Sequence, residues 1–151
     1  MLLFGWKIIR VIKQSEGRGI MYLAVVKRVR TNNFNDDAMM EKISTMWKEA
    51  STVLENKDDI IYGLYSDYES DYKGDYTLTV AIESSEGDTT IKIPEANYER
   101  FAVDTSDENG IVKAWQEIWE REEKGELKRA YSFDFEKYYP NGQIEIYIAV
   151  Q

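Results

Sequence analysis

The sequence contains neither cysteine nor histidine. No disulfide framework, thiol nucleophile, haem site, histidine-dependent zinc site or imidazole base is therefore available, and Ser-His-Asp and Cys-His mechanisms are excluded. Long apolar runs are missing too. The longest, Met1–Trp6 and Ile20–Val26, fall far below the roughly 20 residues that a membrane helix needs. The opening MLLFGW has no basic stretch before it and no small-residue cleavage site after it, so it does not read as a signal peptide. Positive charge is scarce: 19 Lys and Arg against 28 Asp and Glu give a net charge of −9. That balance disfavours direct nucleic-acid binding, and the single basic cluster, Lys27, Arg28 and Arg30, lies in a strand-like segment. No glycine-rich phosphate loop is present. A cytoplasmic protein with no membrane association, no metal and no cofactor is expected.

What the chain does have is apolar and aromatic content. Its 151 residues are 43% hydrophobic, enough for one domain with a sizeable core rather than a disordered chain. Both halves carry the same order of signals. Met21–Arg30 reads as a strand; Asn35 and Asp36 offer helix caps; Met39, Ile43, Met46, Trp47, Ala50 and Leu54 recur at helical spacing. Ile60–Asp67 and the alternating Tyr76, Leu78, Val80 and Ile82 then predict two strands around the turn-rich Glu69–Gly74. The second half repeats the series. Tyr98–Asp104 is a strand, and Ile111, Trp115, Ile118, Trp119 and Glu122 mark a helix that ends near Gly125. Ala130–Tyr138 and Ile144–Val150 form a hairpin about Pro140-Asn141-Gly142. The class is α+β, with half one at about 20–84, half two at about 89–150 and a short connecting strand at Thr89–Ile93. Residues 1–19 are left as an N-terminal strand or arm, its strand-like part at Trp6–Ile12.

Glu136 is the leading candidate for function. Alternation places Tyr131, Phe133 and Phe135 on one strand face and Ser132, Asp134 and Glu136 on the other; on the next strand it sets Ile144, Ile146 and Ile148 against Glu145 and Tyr147. If the aromatic face packs on the helices, Glu136 looks away from them, into solvent or into a cleft between the halves. A carboxylate walled by aromatics attracts organic cations through Coulomb force and ring quadrupoles. Four Trp and eleven Tyr exceed what a small core requires, and Trp47 sits at the place in the first helix that Trp119 takes in the second. Laying Trp47 on Trp119 and Tyr62 on Tyr131 places Asp67 at the position in the first half that Glu136 takes in the second. For proton transfer, Glu136 with Tyr147 is the best pair, with Asp67 as a second carboxylate. Asp67, Glu69 and Asp71 alternate like the front of a calcium loop, but Tyr72 and Leu78 stand where that loop needs Gly and Glu, so the calcium reading fails.

The series Ile93-Pro94, Tyr98-Glu-Arg-Phe101, Ala114-Trp115-Gln-Glu-Ile-Trp119, Phe135-Glu136-Lys-Tyr138 and Glu145-Ile-Tyr-Ile-Ala-Val150 resembles the GyrI-like effector-binding domains. Tyr62-Gly-Leu-Tyr65-Ser-Asp67 and Arg30-Thr-Asn-Asn are similar to the stand-alone integron-cassette branch, related to the ligand domains of AraC- and MerR-type multidrug regulators. The resemblance implies tandem strand–helix–hairpin halves with antiparallel sheets around a central cleft on a pseudo-twofold. It implies a lipophilic, often cationic aromatic ligand held about Glu136, with Trp115, Trp119, Phe101 and Tyr147 as walls; from the residues themselves, Tyr65 and Asp67 are added as ligand-binding candidates of the first half. Some family members resemble hydrolases of strained toxic compounds that use the same glutamate, which is the enzymatic alternative. A third reading is a modulator that docks on a separately encoded regulator or enzyme through its acidic surface and the Asp67–Asp75 loop. No helix-turn-helix pattern is present, so the chain is expected to bind a compound rather than control transcription alone.

Overall fold

The computed structural model describes residues 9–13, 20–54, 58–87 and 89–151. Its elements are β1 (Ile9–Lys13), β2 (Met21–Thr31), α1 (Met39–Val53), β3 (Ile61–Ser66), β4 (Tyr76–Glu83), β5 (Thr90–Ile93), β6 (Asn97–Ala102), α2 (Gly110–Glu123), β7 (Asp134–Tyr138) and β8 (Ile144–Val150). The N-terminal reading of Trp6–Ile12 falls partly outside the described residues; from Ile9 the chain forms β1, antiparallel to β6.

All eight strands form one antiparallel sheet in the order β1-β6-β8-β7-β3-β4-β2-β5. Exchanging β1–β4 with β5–β8 reverses this order and otherwise leaves it unchanged, so the topology itself carries a pseudo-twofold. The central pair, β3 and β7, joins one half to the other. The leading strand of each half pairs with the other half: β1 lies on β6 and β5 on β2.

Both helices cover one face of the sheet. Met46 and Ala50 of α1 pack on Tyr76, Leu78 and Val80, while Trp115 and Ile118 of α2 pack on Phe101, Ile146 and Ile148. The apolar stripes read from the sequence are these buried faces. Gly125, with φ +77, ends α2 in a conformation that costs an L side chain free energy. No helix among the described residues is long and apolar enough to cross a membrane.

The opposite sheet face is buried as well, because the sheet curls over itself. Its filling is aromatic: Tyr62, Tyr98 and Tyr147 all contact Phe135 or each other, with Tyr147 stacked on Phe135 at 5.0 Å. This reverses the orientation that alternation suggested. The Phe135 and Tyr147 face packs inside the curl, and Glu136 points toward the helices. The expected strand at Ala130–Tyr138 also starts late, at Asp134. Tyr131 adopts φ 55, which interrupts the extended backbone. Its hydroxyl meets Glu122 of α2 at 2.6 Å, and its ring lies 4.3 Å from the Arg129 guanidinium.

Candidate functional site

At the middle of the β3/β7 ladder, Gly63 lies directly opposite Glu136. A Cβ on residue 63 would come within 2.9 Å of Glu136 Oε1 and 3.6 Å of the Trp47 ring. The glycine thus makes room for a carboxylate contributed by the other half. Gly63→Ala is expected to displace that carboxylate, costing about 1–3 kcal/mol of stability and most of any affinity that depends on Glu136. A melting curve together with a ligand titration checks both effects.

Glu136 is 3% exposed. Tyr65 donates its hydroxyl to Oε2 at 2.9 Å and Trp115 donates Nε1 to the same oxygen at 2.8 Å. Tyr138 donates to Oε1 at 2.8 Å. Burial pushes the Glu136 carboxyl above its ordinary value, and these three hydrogen bonds pull it partly back. The same burial, with Glu136 nearby, pushes Tyr65 and Tyr138 well up, so both phenols keep their protons and act as donors. None of the Lys or Arg residues described forms an ion pair with Glu136.

A cavity of about 550 Å³ opens above the carboxylate, between the two helices. Met39, Ile43 and Trp47 of α1 form one wall, and Ile111, Trp115 and Trp119 of α2 the other. Tyr65, Tyr76, Leu78, Glu136 and Tyr138 form the floor on β3, β4 and β7. Trp47 meets Tyr138 edge-on at 5.1 Å, and Tyr65 lies 4.9 Å from the Trp115 ring. The mouth carries the exposed apolar side chains of Phe34, Met40 and Val112.

Arg129 also lines this cavity, but its charge is matched elsewhere. It pairs with Asp134 at 2.8 Å, both side chains being buried, and lies 3.6 Å from Glu122. Asp134 accepts further bonds from the Tyr68 hydroxyl and from the Ala149 amide. Glu136 is left as the buried carboxylate with neutral partners.

The structure thus brings Glu136, Trp115, Trp119 and Tyr65 around one cavity and places the other candidates elsewhere. Phe101 lies in the core beneath α2, against Ile146 and Ile148. Tyr147 projects from the opposite sheet face, so it forms no acid–base pair with Glu136. Asp67 lies beyond the end of β3 with φ 50, its carbonyl bonded to Arg30. Across the ladder the partner of Glu136 is Gly63, and Asp67 lies beyond the paired residues. In the loop that follows, the Glu69 and Asp71 carboxylates accept the backbone amides of Asp75 and Lys73 and so fold the turn. Among the described residues no cluster of acidic side chains is arranged to hold a metal.

Tyr138 and Trp47 were missing from the candidate set. Tyr138 was legible, being two residues beyond Glu136 on the same strand face. Trp47 was legible from its match to the second helix.

The family model of integron-associated effector binding proteins matches residues 12–150. An integron cassette protein of Vibrio cholerae has a similar structure, with TM-score 0.75 and 25% identity over 96% of this chain and 97% of its own. A protein solved with bound tetraphenylphosphonium shares the fold at TM-score 0.65 and 12% identity, covering 94% of this chain and 93% of that one. The Bacillus subtilis protein YobU, named as a regulator of transcription, is 29% identical over 143 residues, 81% of this chain and 88% of its own length. With its matched residues running from β1 through β8, the chain belongs to the family of integron-associated effector binding proteins.

Proposed function

We propose that this protein is a receptor for lipophilic aromatic cations, with Glu136 as the counter-ion. The observation that carries this reading is a buried carboxylate with three neutral donors and no protein cation, at the floor of an aromatic cavity. A buried charge is costly unless a partner compensates it, and a desolvated organic cation is such a partner. Trp47, Trp115 and Tyr65 offer ring faces, each worth about 0.5–2 kcal/mol to a cation. The volume of about 550 Å³ suits a compound of several rings. A fold relative takes tetraphenylphosphonium, a ligand of this class. Apolar burial at roughly 25 cal/mol per Å², less the cost of association, leads to an affinity of about micromolar.

Calorimetric titration with tetraphenylphosphonium across a pH series tests the reading. A bound cation favours the ionised carboxyl, so binding expels a proton from whatever fraction of Glu136 is protonated. Affinity is expected to rise with pH through the raised Glu136 value and then level off. The heat is expected to depend on the ionisation enthalpy of the buffer over that same range. An affinity that is flat with pH, with no proton release, would remove Glu136 from the binding step.

A further inference from the structure

A second cavity of about 530 Å³ lies outside the first. Tyr72 and Lys73 from the β3–β4 loop bound it on one side, and Gln116, Glu120 and Glu123 of α2 on the other. Phe34, Tyr72 and Trp119 line both cavities, so only this layer of rings separates them. Tyr72 stacks on Trp119 at 5.4 Å with planes 14° apart, and Phe34 contacts the two rings at 5.9 and 5.6 Å. The Tyr72 hydroxyl donates to Glu123 Oε2 at 2.7 Å, which fixes the stacked pair to α2.

This groove already holds a cation. The Lys73 ammonium lies 5.6 Å from the Tyr72 ring centroid and 3.9 Å from Glu123 Oε2. An ammonium set between an aromatic face and a carboxylate is the arrangement that recognises organic ammonium ions. Here it sits on a flexible four-carbon stem whose side chain is 61% exposed. An ion pair of that kind contributes little to stability, so an incoming cation displaces it at small cost.

We propose that the outer groove is a second cation subsite, taking an ammonium carried on an aromatic or short apolar group, with the Lys73 side chain as its built-in competitor. The subsite is independent of Glu136, which faces the inner cavity. The protein then takes two cations per chain, one on either side of the Phe34–Tyr72–Trp119 layer, and the outer one is the weaker and more salt-sensitive.

Calorimetric titration of benzyltrimethylammonium into wild type, Glu136→Gln and Glu136→Gln combined with Lys73→Met or Glu123→Gln tests this. The Glu136→Gln protein is expected to retain one weak site. Adding Lys73→Met should strengthen that site about fivefold, the effect of one charge near 4 Å in water. Adding Glu123→Gln should weaken it by a similar factor. Absence of residual binding in Glu136→Gln overturns the subsite while leaving the inner receptor intact. A Lys73→Met effect that is nil or negative overturns it as well. Wild-type binding that survives Glu136→Gln undiminished and is strengthened by Lys73→Met supports the outer groove while removing the inner counter-ion, so the two readings fail separately.

Discussion

Glu136→Gln is expected to weaken tetraphenylphosphonium binding by about a thousandfold, the ~4 kcal/mol between unit charges 4 Å apart at an effective dielectric constant near 20. A neutral compound of the same shape should lose little. The amide keeps an oxygen for Tyr65 or Trp115, so the cavity retains its outline. The same substitution is expected to stabilise the unliganded protein at neutral pH. Burial raises the Glu136 carboxyl above its usual 4.5, while the bonds from Trp115, Tyr138 and Tyr65 lower it in part. A carboxyl raised on folding favours the native state fully below its unfolded value and loses that contribution as pH climbs through its folded value. The melting temperature of the variant should therefore match wild type in acid and exceed it above the raised Glu136 value. Scanning calorimetry over a pH series checks the crossover, and a variant less stable than wild type at neutral pH would show that the carboxylate is structural.

The largest loss of stability is expected from Arg129→Met. Asp134 is fully buried and pairs with Arg129 at 2.8 Å, so removing the guanidinium leaves a carboxylate without its partner in the interior. Breaking such a pair from one side costs ~3–5 kcal/mol, which lowers the melting temperature by roughly 10 °C in a chain of this size. Adding Asp134→Asn should recover much of the loss, because the amide still accepts the bond from the Ala149 amide at 2.7 Å without a buried charge. Cation affinity is expected to move the other way. Arg129 lines the inner cavity, and its removal takes a positive charge from the wall facing the ligand. A titration on the Arg129→Met single variant, held below its lowered melting temperature, reads this sign, because the double variant loses the Asp134 charge as well. Weakened cation binding there would mean that Arg129 acts by holding Trp115, whose ring lies 5.9 Å from the guanidinium.

The helices and the duplicated order of elements were legible because Ile43, Met46 and Ala50 in one half and Ile111, Trp115 and Ile118 in the other repeat at helical spacing. The same spacing brought Trp115 and Trp119 to one wall. Which strand face met the helices was not legible. Alternation divides Phe135 from Glu136, but a curled sheet buries both faces, and hydrophobicity then ceases to distinguish inside from outside. Tyr147 was misplaced for that reason. Phe101 lies on the correct face but under the helix rather than beside the cavity. The left-handed turn at Tyr131 has no glycine to announce it. Gly63 did carry a readable signal, a glycine inside a strand, which commonly marks a close approach by another group. The exchange of β1 and β5 between halves depends on pairings far apart along the chain, which no local pattern encodes.

In an assembly of two identical half-length chains, the central position of the β3/β7 ladder would hold one residue facing its own copy. Two glutamates there would repel each other at close range, and two glycines would leave the centre without a charge. Here Gly63 stands across from Glu136, and the two strands, being different stretches of one chain, need not carry the same residue at this position. The joining of the halves into one chain is what permits a lone acid at the centre of a nearly symmetric molecule.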